Sequence, residues 1–159
     1  MKVTNVVVAG LGGQGVIKAS DILAEVAFRA GLDVKKAEVH GMSQRGGSVS
    51  TDVRLGKEVL SPMVPVGEAD YLVVLAADQV ENNREVLKKG GVLVAPGDVN
   101  DADLTNKRSA NVALLGVLSK HLGFSEGLWV EAIKASLPES LHAANLQAFE
   151  VGRRGPAIG

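Results

Sequence analysis

The sequence predicts a single α/β domain, three-layer-like, with a mixed, mostly parallel sheet, a central hairpin and a helical C-terminal third. Three observations predict it. Short continuous apolar runs alternate with longer amphipathic stretches, the pattern of strands joined by crossover helices. Ser48 to Leu55 instead alternates residue by residue, as a half-solvated strand in antiparallel pairing does. After Pro96-Gly97 the chain reads as helices punctuated by Gly123 and Pro138.

The elements follow in order. Val3 to Ala9 is short, β-branched and bounded by glycine, which reads as a buried strand. Gly15 to Ala30 reads as a helix, with Val16, Ile17, Leu23, Val26, Ala27 and Ala30 near one face and Gly31 as its stop. Asp33 to Val39 is the second strand, followed by the polar loop His40 to Gly47. In Ser48 to Leu55, Val49, Thr51, Val53 and Leu55 point one way and Ser48, Ser50, Asp52 and Arg54 the other, with Asp52 and Arg54 expected in solvent. Leu55 to Glu58 reads as a turn and Val59-Leu60 as the start of a return strand, ended and confined to an edge by Pro62 and Pro65. Tyr71 to Ala77 is a continuous apolar strand. Asp78 is placed to cap a helix from Gln79 to Lys89, whose solvated face carries Glu81 and Glu85. Val92 to Ala95 is the last strand. Helices are expected at Ala110–Leu122, Glu126–Leu137 and Ser140–Phe149, then a loose tail. The domain therefore covers residues 1–152 and the tail 153–159.

Composition narrows the function. A chain of 159 residues, 46% hydrophobic and 22% charged, can bury a core without staples. A net charge of −1 with no basic stripe leaves no nucleic-acid footprint, and 3% aromatics leaves no base-stacking platform. The absence of cysteine excludes disulfides, a thiol nucleophile and a thiolate-held iron–sulfur cluster. The dispersed His40, His121 and His142 make no metal site, and His121 and His142 look structural or solvated. The apolar run ahead of Gly10 is too short for a signal sequence or a membrane span, so a cytoplasmic location without membrane contact is expected.

Two loops carry the functional signal. Gly10-Leu11-Gly12-Gly13-Gln14-Gly15 fits G-x-G-x-x-G, follows a strand and opens a helix. Glycines admit positive φ, and the free N–H groups of a helix start attract an anion. Glu38 lies where a ribose-binding acid would. Against a dinucleotide stand the extra Gly13 and a following loop and hairpin where a crossover helix should be. No Gly-Lys-Ser/Thr follows, so this is not a P-loop. A dinucleotide site, a tight turn with no ligand, and a site for another phosphate or carboxylate remain open. The second loop, His40 to Gly47, brings Ser43, Gln44 and Arg45 to the end of a strand, where α/β sheets bind ligands. Arg45 suits a carboxylate or phosphate, and Gly46-Gly47 allows close backbone approach. The plainer reading is a solvated surface loop. His40 is the one candidate for proton transfer. A hydrogen-bonding or interface role is preferred, because Glu38 is its only evident carboxylate partner.

Together, GLGGQGV from Gly10 and EVHGMSQRGGSV from Glu38 resemble the gamma-type subunits of 2-oxoacid:ferredoxin oxidoreductases, nearest to the small (beta) subunits of the members that oxidise indolepyruvate. Ser61-Pro62 ahead of Gly67-Glu68-Ala69-Asp70, Asn111 in NVALLGVLSK, and Asn145 to Phe149 extend the likeness over nearly the whole chain. The chain is somewhat short for the family, with the shortfall placed in the middle and tail. The resemblance implies a large partner subunit holding thiamine diphosphate and iron–sulfur clusters. The complex would decarboxylate an aryl pyruvate, pass electrons to ferredoxin and transfer the acyl group to coenzyme A. This chain would hold no cofactor alone and would not be active alone. Its Gly97-Asp98 is followed by Val99 rather than glycine, and no Asn-Asn pair lies downstream, so the thiamine motif is lacking. The resemblance makes Gly10, Gly12, Gly13, Gln14, Gly15, Ser43, Gln44, Arg45, Gly46 and Gly47 the candidates for binding a coenzyme A phosphate or the oxoacid carboxylate. Asn111 reads as a helix cap, and Asn145 and Phe149 as packing residues. The rivals are a free-standing NAD- or FAD-binding protein and a purely structural subunit.

Overall fold

The computed structural model describes residues 2–40 and 47–155. Five strands, β1 (Thr4–Leu11), β2 (Asp33–His40), β3 (Ser48–Gly56), β4 (Ala69–Val74) and β5 (Leu87–Val94), form one sheet in the order β2-β3-β1-β4-β5. The helices are α1 (Val16–Arg29), the single-turn α2 (Val80–Asn83), α3 (Ala110–Ser119), α4 (Glu126–Ser136) and α5 (His142–Arg154). The sheet is mixed as expected. β1–β4 and β4–β5 run parallel while β1–β3 and β2–β3 run antiparallel, so the two kinds of pairing are equal in number and the sheet is not mostly parallel.

The strand alternation sorts the core into two faces. Val6, Val8, Val53, Leu55, Val73 and Val94 point at the helical layer and pack with α1, α3, α4 and α5. Trp129 and Phe149 fill its centre, their rings 5.5 Å apart. Val7, Ala9, Leu72 and Val74 point the other way and are covered only by Val64, Val80, Val86 and their neighbours. Among the described residues that second face has no long helix, which decides how the chain between β3 and β4 is used.

Four expectations are corrected. The hairpin lies one element earlier: β2 and β3 pair from Asp33↔Gly56 to His40↔Val49, whereas Val59-Leu60 forms no return strand. The Val59 N–H is taken instead by the Asp33 carboxylate at 2.8 Å. Asp52 is not in solvent but 7% exposed, because the chain after β3 folds back over it. Arg54 is half-buried, donating from Nε to Asn5 Oδ1 at 2.8 Å. The helix expected from Gln79 to Lys89 is a broken series of short turns around α2, and Asp78 lies inside a 3-10 turn whose N-cap is Ala76. The Asn83 side chain donates to Gln79 O at 2.8 Å, the carbonyl that an uninterrupted helix would give to the Asn83 N–H. Lys88 and Lys89 belong to β5, where Lys88 pairs with Asp70 of β4. At the other end α5 runs past the helix end expected at Phe149 to Arg154, so Arg153 and Arg154, expected in the loose tail, are helical. Arg153 donates to Ser119 Oγ at 2.9 Å. No helix among the described residues is long and apolar enough to cross a membrane.

Candidate functional site

The sheet order places a crevice. From β1 the chain goes to the β2–β3 side of the sheet, and from β4 it goes to β5 on the other. β1 and β4 are parallel neighbours, so their C-terminal ends form the topological switch point where open α/β sheets bind ligands. A cleft of about 640 Å³ opens there, with the glycine loop on one wall and residues 96–111 on the other.

The glycine loop is fixed by its own side chain. Gln14 turns back so that its Oε1 accepts the Leu11 N–H at 2.7 Å, while its Nε2 reaches Leu75 O at 3.5 Å. Gln14 thus ties the ends of β1 and β4 together across the switch point. Gly10 lies under it: a Cβ there would come within 2.8 Å of Gln14 Oε1 and 3.1 Å of the Leu75 Cβ. Gly15, at the N-cap of α1, has φ 84°, a conformation glycine alone takes readily. Val16, Ile17 and Lys18 follow as the first residues of α1, whose N–H groups have no partner within the helix. Gly13, Gln14 and Gly15 line the cleft, Gly10 packs beneath Gln14, and Gly12 lies outside the lining.

The second loop meets the first. The Gly12 N–H donates to Gly47 O at 3.1 Å, so the last residue of the polar loop is hydrogen-bonded to the glycine loop. Ser43, Gln44, Arg45 and Gly46 lie outside the described residues, as does the side chain of His40, whose backbone ends β2.

The facing wall contains what sequence reading missed. Lys107 and Arg108 line the cleft in the 3-10 turn that leads into α3. Neither has an ion-pair partner among the described residues. A signal was available in the sequence: cations ahead of a helix N-terminus oppose the helix dipole, and locally unfavourable choices mark functional sites. Asn106 stabilises the turn, its Oδ1 accepting the Arg108 N–H at 2.9 Å. Asn111 is therefore not the cap of α3; Ser109 occupies that position. The Asn111 side chain crosses the cleft and donates from Nδ2 to Gly15 O at 3.2 Å, joining the two walls. Asp101 is the one carboxylate in the lining. Cations and helix-start amides facing a single cleft give it the character that suits an anion, and its lining among the described residues offers no pair of carboxylate or imidazole groups for general acid–base work.

The remaining candidates are structural. Asn145 is buried and donates from Nδ2 to Leu141 O at 2.8 Å, and Phe149 lies in the core. The His121 carbonyl accepts the Tyr71 hydroxyl at 3.3 Å, and His142 Nε2 lies 2.8 Å from Leu137 O. Among the described residues no group of three His, Cys, Asp or Glu could hold a metal. Asp98, the acid of Gly97-Asp98, accepts the Ala95 N–H at 2.9 Å and so serves its own turn.

Residues 5–105 match the family model for pyruvate ferredoxin/flavodoxin oxidoreductase. The chain is 37% identical over 194 aligned positions to the indolepyruvate oxidoreductase subunit IorB of Thermococcus kodakarensis, covering 96% of this chain and 95% of that one. It is 28% identical to the 2-oxoglutarate synthase subunit KorC of Methanothermobacter marburgensis, over 92% of each. Among solved structures, the 2-oxoglutarate:ferredoxin oxidoreductase of Magnetococcus marinus, which has 2-oxoglutarate, coenzyme A and succinyl-CoA bound, superposes with a TM-score of 0.82 at 26% identity. The match covers 97% of this chain and 31% of that one. The keto/oxoacid ferredoxin oxidoreductase gamma subunit of Geobacter sulfurreducens has the same fold, with a TM-score of 0.80 at 23% identity over 97% and 96%.

Proposed function

This chain belongs to the pyruvate ferredoxin/flavodoxin oxidoreductase family as a small subunit of a 2-oxoacid:ferredoxin oxidoreductase, and we propose that its enzyme oxidises an aryl pyruvate, with indolepyruvate the first substrate to try. In this reading a large partner subunit holds thiamine diphosphate and iron–sulfur clusters, and ferredoxin is reached through the complex. This chain does not fit either group: it has no cysteine, and Asp98 is engaged by its own turn. When bound in the partner, those groups supply decarboxylation and the electron path. What this chain supplies is anion recognition for coenzyme A, the acyl acceptor.

One observation carries the proposal. Lys107 and Arg108 share a cleft with the start of α1 at the β1/β4 switch point. A phosphate placed there meets two cations and the exposed amides of a helix start, each a charge-assisted donor. Gln14 fixes the glycine loop and Asn111 ties it to the facing wall, so little order is lost on binding. Arg45, which the sequence places in the polar loop after β2, is proposed to add a third cation to this grip. The free-standing dinucleotide reading loses ground because β2 and β3 run antiparallel where a second parallel unit would lie.

The test is steady-state kinetics of the assembled enzyme carrying Lys107→Ala, Arg108→Ala or Arg45→Ala. Each loss of a charged phosphate contact should raise the KM for coenzyme A by about tenfold, with the KM for the oxoacid unchanged. An unchanged coenzyme A KM in all three would refute the anion grip and favour a purely structural subunit.

A further inference from the structure

The chain between β3 and β4, residues 57–68, is a strap across the sheet face that the long helices leave uncovered. Four sheet side chains hold its backbone. Asp33 accepts the Val59 N–H at 2.8 Å, and Asp52 accepts the Val64 N–H at 2.9 Å. Arg54 donates from Nη1 to Ser61 O at 2.9 Å, and Asn5 from Nδ2 to Glu68 O at 3.1 Å. Val59 is buried and Val64 packs on the second core face. Pro62 and Pro65 restrict φ between the anchors.

Three large apolar residues point outward from this fixed backbone: Leu60 is 85% exposed, Val66 76% and Met63 56%. No residue from Leu60 to Val66 carries a charge. Apolar side chains presented on a pre-ordered backbone lose little entropy when a partner covers them, which is the condition for a binding hot spot.

Resting on the subunit reading above, we propose that Leu60, Met63 and Val66 form the ridge by which this chain docks on its large oxidoreductase partner, in an uncharged apolar depression. Two observations choose that occupant over a second copy. The three side chains offer on the order of 300 Å² of apolar surface. A stable interface needs about 800 Å² per partner, so the ridge closed on itself falls short while a larger chain can cover more. In the Magnetococcus oxidoreductase this same fold makes up 31% of a longer chain, so there it has a different polypeptide region as its covalent neighbour.

The experiment titrates the small chain with its large subunit, identified by bound thiamine diphosphate and cluster absorbance, by calorimetry. Compared are wild type, the triple variant Leu60→Ser/Met63→Ser/Val66→Ser, and Phe28→Ser, which alters an apolar residue 70% exposed on α1. The ridge variant should melt like wild type and bind about 100-fold more weakly, with Phe28→Ser changed by less than about threefold. Leu60→Ser alone serves if the triple variant melts lower. Wild-type affinity in the ridge variant overturns the proposal. Loss of self-association in the isolated ridge variant, with partner affinity intact, overturns it in favour of a second copy. A wild-type chain that binds no such subunit overturns both the ridge and the subunit reading beneath it.

Discussion

Asp52 and Asp70 lie on the second face of the sheet and respond oppositely to it. Burial pushes both carboxyls up. At Asp70 the ammonium of Lys88, the Asn5 N–H at 2.8 Å and the charge of Lys2 outweigh burial and hold it below the usual range. At Asp52 the Val64 N–H and the nearby Arg54 do not, and the carboxyl stays raised. A raised carboxyl binds its proton more tightly in the folded state, so the folded form is favoured below the unfolded value near 4 and penalised as pH rises through the folded one. Asp52→Asn retains an oxygen for the Val64 N–H and removes the charge. It should melt at or above wild type at pH 7, with the advantage shrinking toward pH 4. Asp52→Ala leaves that N–H without its acceptor and should cost about 1–3 kcal/mol. Melting curves of the three proteins at both pH values decide it, and an Asp52→Asn protein less stable than wild type at pH 7 would mean that Arg54 outweighs burial. The sequence could not reveal this residue. Its alternation with Thr51 and Val53 reads as a wet face, and only the strap, folded back from residues 57–68, makes that face dry.

Between elements, α3 and α5 meet backbone to backbone at two glycines. Gly116 faces the backbone of Phe149 and Arg153, and Gly152 faces the backbone of Ala113 and Val117. A methyl group at either position meets main chain rather than a side-chain tip, so the helices must separate to admit it. Gly152→Ala should therefore cost about 3 kcal/mol, and Gly123→Ala, which meets open space, should cost nothing by this route. Denaturant midpoints at constant slope test the comparison. The strands and the four long helices were legible because each carries its own period: β1 as a β-branched run, α1 as an apolar stripe. The glycine loop was legible because its geometry is local, written in Gly10 to Gly15. What was not legible depended on distant partners. Val59-Leu60 looked like a strand until Asp33 took its N–H. Gln79 to Lys89 looked like a helix until Lys88 found Asp70 across the sheet. Gly152 fell beyond the helix expected to end at Phe149, because its reason for being glycine lies on another helix.

For the whole molecule, the site is a property of topology more than of any motif. Gln14 and Asn111 come from elements almost a hundred residues apart, and they join β1, β4 and α3 only because β1 and β4 are neighbours pointing the same way. Lys107 and Arg108 take their place in the site from the fold, which sets them across the cleft from the glycine loop. The cleft is lined by this chain's own residues, so part of the anion affinity should be measurable on the chain by itself. An anion that binds only the folded state raises its stability by RT ln(1 + [L]/Kd), about 2.7 kcal/mol at a hundredfold excess over Kd. Inorganic pyrophosphate, which has the charge of the diphosphate in coenzyme A, should raise the melting temperature of the isolated chain in a saturable way. The double variant Lys107→Ala/Arg108→Ala should lose most of that rise while melting like wild type without the anion, since neither side chain holds an ion pair among the described residues. A pyrophosphate effect of equal size in wild type and double variant would be a general salt effect, and the cleft would then need the large subunit before it could hold a phosphate at all.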